Sequence, residues 1–167
     1  MHQAVIIVAK YFIIFSVLLA FWTFVDQPPK KKKEFLIIGL IGAVLTVILA
    51  RLGGHFYYDP RPFVVGHFKP YFYHAPDNGF PSDHTLLASF LMFLCIRYSK
   101  RFGAALFLLA IAIGLARVQA GVHHMIDILG SFVCSGVGVL LALYITERIN
   151  NRANTTYTNP AHKPQSK

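Results

Sequence analysis

The sequence is short of cysteine and of acid. Its two cysteines, Cys95 and Cys134, both lie inside apolar runs. That excludes a disulfide framework and a cysteine metal knuckle. Seven Asp and Glu stand against sixteen Lys and Arg, for a formal charge of +9. The excess sits in short flanks of apolar runs, which argues against a nucleic-acid partner. No internal repeat is visible. The first apolar stretch lacks a basic leader and an A-x-A-like cleavage site, so it reads as a retained helix rather than a signal peptide.

What is abundant is apolar residue, 55% of the chain, with mean hydropathy +0.52. These residues are grouped in runs long enough to matter, since a helix needs roughly 20 mainly apolar residues to cross the hydrocarbon core. Five spans are expected, near 5–24, 35–52, 82–98, 102–116 and 123–146. The fold class is therefore an all-α membrane helical bundle with a structured outer loop. It divides into a membrane domain over residues 1–147 and a loose polar tail over 148–167.

Five spans place eleven of the sixteen basic residues on one side, including Lys30 to Lys33, Arg97, Lys100, Arg101, Arg148 and Arg152. The positive-inside rule makes that side cytoplasmic, with the C-terminus in the cytoplasm and the N-terminus outside. His55, His67, His74, His84, His123 and His124 then fall on the outer side, with Asp59, Asp77, Asp83 and Asp127. Ionisable groups at membrane depth are costly and usually functional.

Three outer segments carry candidate chemistry. The first is Asp59-Pro60-Arg61-Pro62-Phe63, in which Pro62 holds Arg61 extended. The second is Phe80-Pro81-Ser82-Asp83-His84. Ser82 is a candidate N-cap, where free N–H groups and the helix dipole suit an anion, and His84 in the first turn suits a proton donor. The third is Arg117-x5-His123-x3-Asp127. Residues four apart share a helix face, and a carboxylate beside an imidazole fixes its tautomer and frees the other nitrogen as nucleophile or base. The guanidinium fork of Arg117 suits a phosphate. Taken singly, each segment also reads as an interfacial turn, a capped helix start or an interfacial histidine–aspartate pair.

Together the three segments resemble the type-2 phosphatidic acid phosphatase superfamily of membrane lipid phosphatases. Its pattern is Lys-x6-Arg-Pro, Pro-Ser-Gly-His and Ser-Arg-x5-His-x3-Asp. The resemblance implies that His123 attacks phosphorus, Asp127 orients it and His84 protonates the leaving group. It implies that Arg61, Arg117 and Ser82 bind phosphoryl oxygens, with Asp83, at the motif glycine, as a further substrate-binding residue. No metal or other cofactor is implied. Three positions depart from the pattern: Gly54 stands where the family lysine falls, Asp83 replaces the glycine, and Ala116 replaces the serine. Arg51 is the nearby basic residue weighed as a substitute for the lysine.

Pro-Arg-Pro-Phe-Val, His74-Ala75-Pro76-Asp77-Asn78 and Phe-Pro-Ser-Asp-His resemble the bacterial undecaprenyl-diphosphate phosphatases in particular. That likeness implies a lipid diphosphate substrate handled at the outer face of the plasma membrane, with phosphatidic acid or phosphatidylglycerol phosphate as alternatives. A transporter built on clustered His and Asp, and a non-catalytic scaffold, are the competing classes. Of the remaining residues, Tyr57, Tyr58, Tyr71, Phe72 and Tyr73 read as an interface belt, and Asp77 and Asn78 as a turn. His124 reads as a bystander. Gly130, Ser131, Ser135, Gly136 and Gly138 read as a close-packing face.

Overall fold

A computed structural model describes residues 2–158 of the chain. The helices, in order, are α1 (His2–Val25), α2 (Pro29–Phe56), α3 (Pro62–Val65), α4 (Asp83–Cys95), α5 (Lys100–Gln119) and α6 (Met125–Thr158). All five expected spans appear as helices. Four of them, α1, α2, α5 and the stretch of α6 up to Arg152, have the length and apolarity to cross a membrane. The third, α4, is a shorter apolar helix of 13 residues. It is the central element, packed on α1, α2, α5 and α6.

Side chains show which solvent the bundle meets. Phe15, Leu18, Phe21 and Trp22 of α1, Leu36, Leu40 and Val44 of α2, and Val133 and Leu140 of α6 are exposed. The buried positions of α1 are Ala9, Ser16, Ala20 and Thr23. Large apolar groups outside and small or hydroxyl-bearing ones inside are the arrangement expected where lipid, not water, surrounds the helices. Small residues then let backbones approach closely. The face expected on the last helix does this. Gly138 backs directly onto Thr46 of α2, and Gly136 faces the Phe93 ring of α4. Ser131 Oγ donates to Ser82 O at 2.9 Å, and Ser135 and Ser89 share a hydroxyl–hydroxyl bond of 2.8 Å. These bonds tie α4 to α6.

The two ends of the bundle differ. At one end Arg97 reaches Glu34 at 3.0 Å, beside Lys30 to Lys33 and Lys100. At the other end the C-termini of α2 and α5 meet the start of α4 and the approach to α6. The 57–82 segment folds over that end and contains α3, a single turn absent from the sequence reading. α6 also runs further than expected. It continues to Thr158 through residues expected to begin the tail, because no Pro or Gly interrupts the chain before Pro160. The rest of the tail, 159–167, lies outside the described residues.

Candidate active site

His123 sits in the link between α5 and α6, two residues before Met125. α5 ends in a turn at Gly121, whose φ of 76° is left-handed and favours glycine. That reversal turns the His123 ring inward, where it is 2% exposed. The spacing argument placed His123 on the helix itself. The structure places it just ahead of the helix, with the expected partner kept: Nδ1 lies 3.0 Å from Asp127 Oδ2.

The other ring nitrogen faces two guanidiniums. Arg61 Nη1 and Arg117 Nη2 each lie 3.3 Å from His123 Nε2. A guanidinium only donates and a carboxylate only accepts. The tautomer is therefore set: the hydrogen is on Nδ1, and Nε2 presents its lone pair. Burial, then Arg117 and Arg61, push the His123 pKa down to about 2, so the ring is neutral at neutral pH.

Arg61 arrives on the extended backbone expected before Pro62, at φ −58° and ψ 148°. Its Nε donates to Asp77 at 2.7 Å and its Nη1 to Val122 O at 2.8 Å. The guanidinium beside Asp77 holds that carboxyl below the usual carboxylate range, although desolvation acts the other way. Arg117, 3% exposed, reaches Ala9 O on α1 and lies 5.8 Å from the Phe72 ring centroid. Its Nε is a buried donor with no acceptor. Donors of this kind suit an anion.

Some candidates are placed differently from expectation. Ser82 stands at the start of α4, but its side chain makes no cap bond; its hydroxyl accepts from Thr85 at 3.3 Å and is fully buried. His84 stands in the first turn of α4 and is half-buried. Asp83 is exposed and lines a cavity of ≈ 390 Å³ with Arg51, His55, Arg61 and Asp77. A carboxylate there offers no donor to a phosphate.

Gly54 lines the same cavity, and a side chain does not fit there. A Cβ on it would stand 2.9 Å from Phe80 O, and Asn78 Nδ2 donates to Gly54 O at 2.8 Å. The 78–81 loop thus occupies the space a lysine would leave through, while Arg51, one turn earlier, faces the cavity.

Sequence reasoning missed three participants. His74 Nε2 accepts from Arg117 at 3.2 Å, and its ring centroid lies 6.0 Å from that of His123. Burial first, then Arg61 and Arg117, lower its pKa. His124, read as a bystander, pairs through Nδ1 with Asp59 Oδ2 at 2.9 Å, and its backbone N–H donates to Asp127 at 2.9 Å. Asn78, read as a turn residue, pins Asp59 N and Phe80 N through Oδ1 at 2.9 and 3.0 Å. The position of His74 within the His-Ala-Pro-Asp-Asn stretch was the one signal available. Nothing in the spacing linked Asp59 to His124, because 65 residues separate them. Asp59, His124 and Asp127 also bring three ligand-type atoms within 4.8 Å of one another.

Comparisons with known proteins give the family. The PAP2 superfamily model matches residues 35–151. The undecaprenyl-diphosphatase BcrC of Bacillus subtilis (strain 168) is 31% identical over 118 residues, covering 70% of this chain and 59% of that protein. The bacitracin transport permease protein BcrC of Bacillus licheniformis is 29% identical over 148 residues, covering 87% of this chain and 70% of that protein. The crystal structure of a PAP2-type phosphatidylglycerolphosphate phosphatase from Bacillus subtilis superposes with a TM-score of 0.55 at 20% identity, covering 89% of this chain and 76% of that one. That likeness concerns the fold alone.

Proposed function

Because the chain belongs to the PAP2 superfamily and is an integral membrane phosphatase, we propose that it hydrolyses undecaprenyl diphosphate to undecaprenyl phosphate and phosphate. The single observation that carries the chemistry is the buried His123 ring, with Nε2 between two guanidiniums and Nδ1 on Asp127. The substrate choice rests on the 31% identical relative that bears the name undecaprenyl-diphosphatase.

The proposed steps use these residues in turn. Arg61 and Arg117 draw the terminal phosphate to Nε2 and spread its charge over their donors. The Nε2 lone pair attacks phosphorus, and the bond to the bridging oxygen breaks. His84 gives that oxygen a proton, and lipid phosphate leaves. The imidazole now carries phosphorus on Nε2 and hydrogen on Nδ1, so it is cationic, and Asp127 stabilises it. Water, losing its proton to His84, then attacks phosphorus, and the P–N bond breaks to return neutral His123 and release phosphate.

The site faces the outer side of the plasma membrane in this reading, because the opposite end of the bundle holds Lys30 to Lys33, Arg97, Lys100 and Arg148. The C-terminus is then cytoplasmic. The permease name of the Bacillus licheniformis relative favours a second reading, a transporter. A transport path would distribute His and Asp along the bundle, whereas here, among the described residues, all but Asp26 gather at one end.

The test is phosphate release by the purified protein in detergent with chelator present. Undecaprenyl diphosphate, phosphatidic acid and phosphatidylglycerol phosphate are offered as competitors. Preferential turnover of the diphosphate is expected. Equal rates on all three would overturn the substrate assignment, and no release from any would overturn the phosphatase reading.

A further inference from the structure

Beside the nucleophile lies a second histidine–aspartate pair that the phosphoryl transfer steps do not use. His124 Nδ1 is 2.9 Å from Asp59 Oδ2, and a carboxylate oxygen of Asp59 and one of Asp127 lie within 4.8 Å of each other. Four residues thus form a line, His123, Asp127, Asp59 and His124. It runs from a ring 2% exposed to one 40% exposed.

The donors along this line do not balance if both carboxyls are ionised. Asp127 is fully buried, and its Oδ2 takes N–H bonds from the His123 ring and the His124 backbone. Its Oδ1 is buried and meets no donor. Two ionised carboxylates only accept, and side by side they repel. One proton shared between them removes both difficulties. Asp127 has two N–H donors holding it as the anion, whereas the Asp59 carboxyl has one, from His124. Desolvation first, then the contact with Asp127, raise the Asp59 pKa.

We propose that the neighbouring Asp59 and Asp127 carboxyls share one proton, carried on Asp59 and directed at Asp127, which makes Asp59 and His124 positioning residues for the Asp127–His123 pair. The proton stays on Asp59 through the reaction, so the balance of the steps above is unchanged. Its effect is to keep Asp127 ionised and oriented when the phosphorylated His123 ring becomes cationic. The titratable and charged groups around the pair are His123 and His124 ahead of α6, Arg61 on the same segment as Asp59, and Asp77, which is bound to Arg61. Asn78 fixes the Asp59 backbone from the loop.

A divalent cation held by Asp59, His124 and Asp127 is the competing occupant of the same atoms. It requires Asp59 as an anion. An amide at position 59 separates the two, because it keeps a donor toward Asp127 and an acceptor for His124 but carries no charge.

The inference rests on the phosphatase reading, and its test is run on a preparation whose native form releases phosphate. Asp59→Ala should lower kcat by on the order of tenfold or more with KM changed less, since it leaves a buried acceptor bare. Asp59→Asn should restore most of that loss and should remove the alkaline limb attributable to Asp59. Infrared spectra of the resting protein at neutral pH should show a protonated-carboxyl band that Asp59→Asn lacks. Three results would each overturn the proposal: Asn as damaging as Ala, Ala as active as native, or activity lost to chelator and restored by a divalent cation. A native protein inactive on every lipid phosphate would instead defeat the phosphatase reading, and the infrared band would still report on Asp59.

Discussion

At His123, burial and two neighbouring guanidiniums oppose a second proton, while Asp127 holds the first on Nδ1. An unfolded histidine titrates near 6.5, and this one near 2 in the fold. Below pH 6.5 the unfolded chain therefore binds more protons than the folded one. The contribution is fully present above about 6.5 and is lost as pH falls toward the folded value. His74, also lowered, adds a change of the same sign. The thermal midpoint in detergent should fall between pH 7 and pH 5, and His123→Asn should flatten that slope. An unchanged slope would contradict the neutral buried ring. Asp77 works in a lower window. Its depressed pKa means the Arg61 pair persists at neutral pH and fails only below the ordinary 3.8. Asp77→Ala should accordingly raise KM at neutral pH, because Arg61 loses the partner that orients it. Equal KM values would show that its bonds to Val122 O and, from Nη2 at 3.4 Å, to Asn78 O suffice to aim it.

At the level of elements, the close approach of the 78–81 loop to α2 and α6 decides what the site contains. Gly54 has no room for a Cβ against Phe80 O, and Gly130 backs directly onto the Phe80 ring. Gly54→Ala should cost about 1–3 kcal/mol by overpacking, read as a lower thermal midpoint. Gly54→Lys should lose stability without gaining activity. A gain in activity would show that the loop yields and that the family lysine is only missing, not excluded. The helices themselves were legible because apolar runs and flanking charge report directly on lipid contact. So were the Arg61, His84, Arg117, His123 and Asp127 positions, because motif spacing brings them to one end of the bundle. The partners supplied by the loop were not. His74, Asn78 and the Asp59–His124 pair depend on how residues 57–82 fold back. No periodicity encodes that path. The length of α6 was misread because polarity was taken as the end of a helix, although no Pro or Gly stands between Gly138 and Thr158.

For the whole molecule, lipid contact and chemistry are divided between surface and end. Large apolar side chains face outward along α1, α2 and α6, the small and hydroxyl residues face inward, and the ionisable cluster closes one end. The opposite, basic end sets the expected orientation. Tyr73, 90% exposed, tests it well. A cysteine placed there should react with a membrane-impermeant maleimide in intact cells, and one at Lys31 only after permeabilisation. The reverse pattern would overturn the sidedness. The central claim is that His123 carries phosphorus during turnover. Its most direct test is rapid quenching of the purified protein with undecaprenyl diphosphate labelled in its terminal phosphate. The account predicts acid-labile, base-stable label on the native chain and none on His123→Ala. Label retained by His123→Ala, or full turnover by that variant, would contradict it.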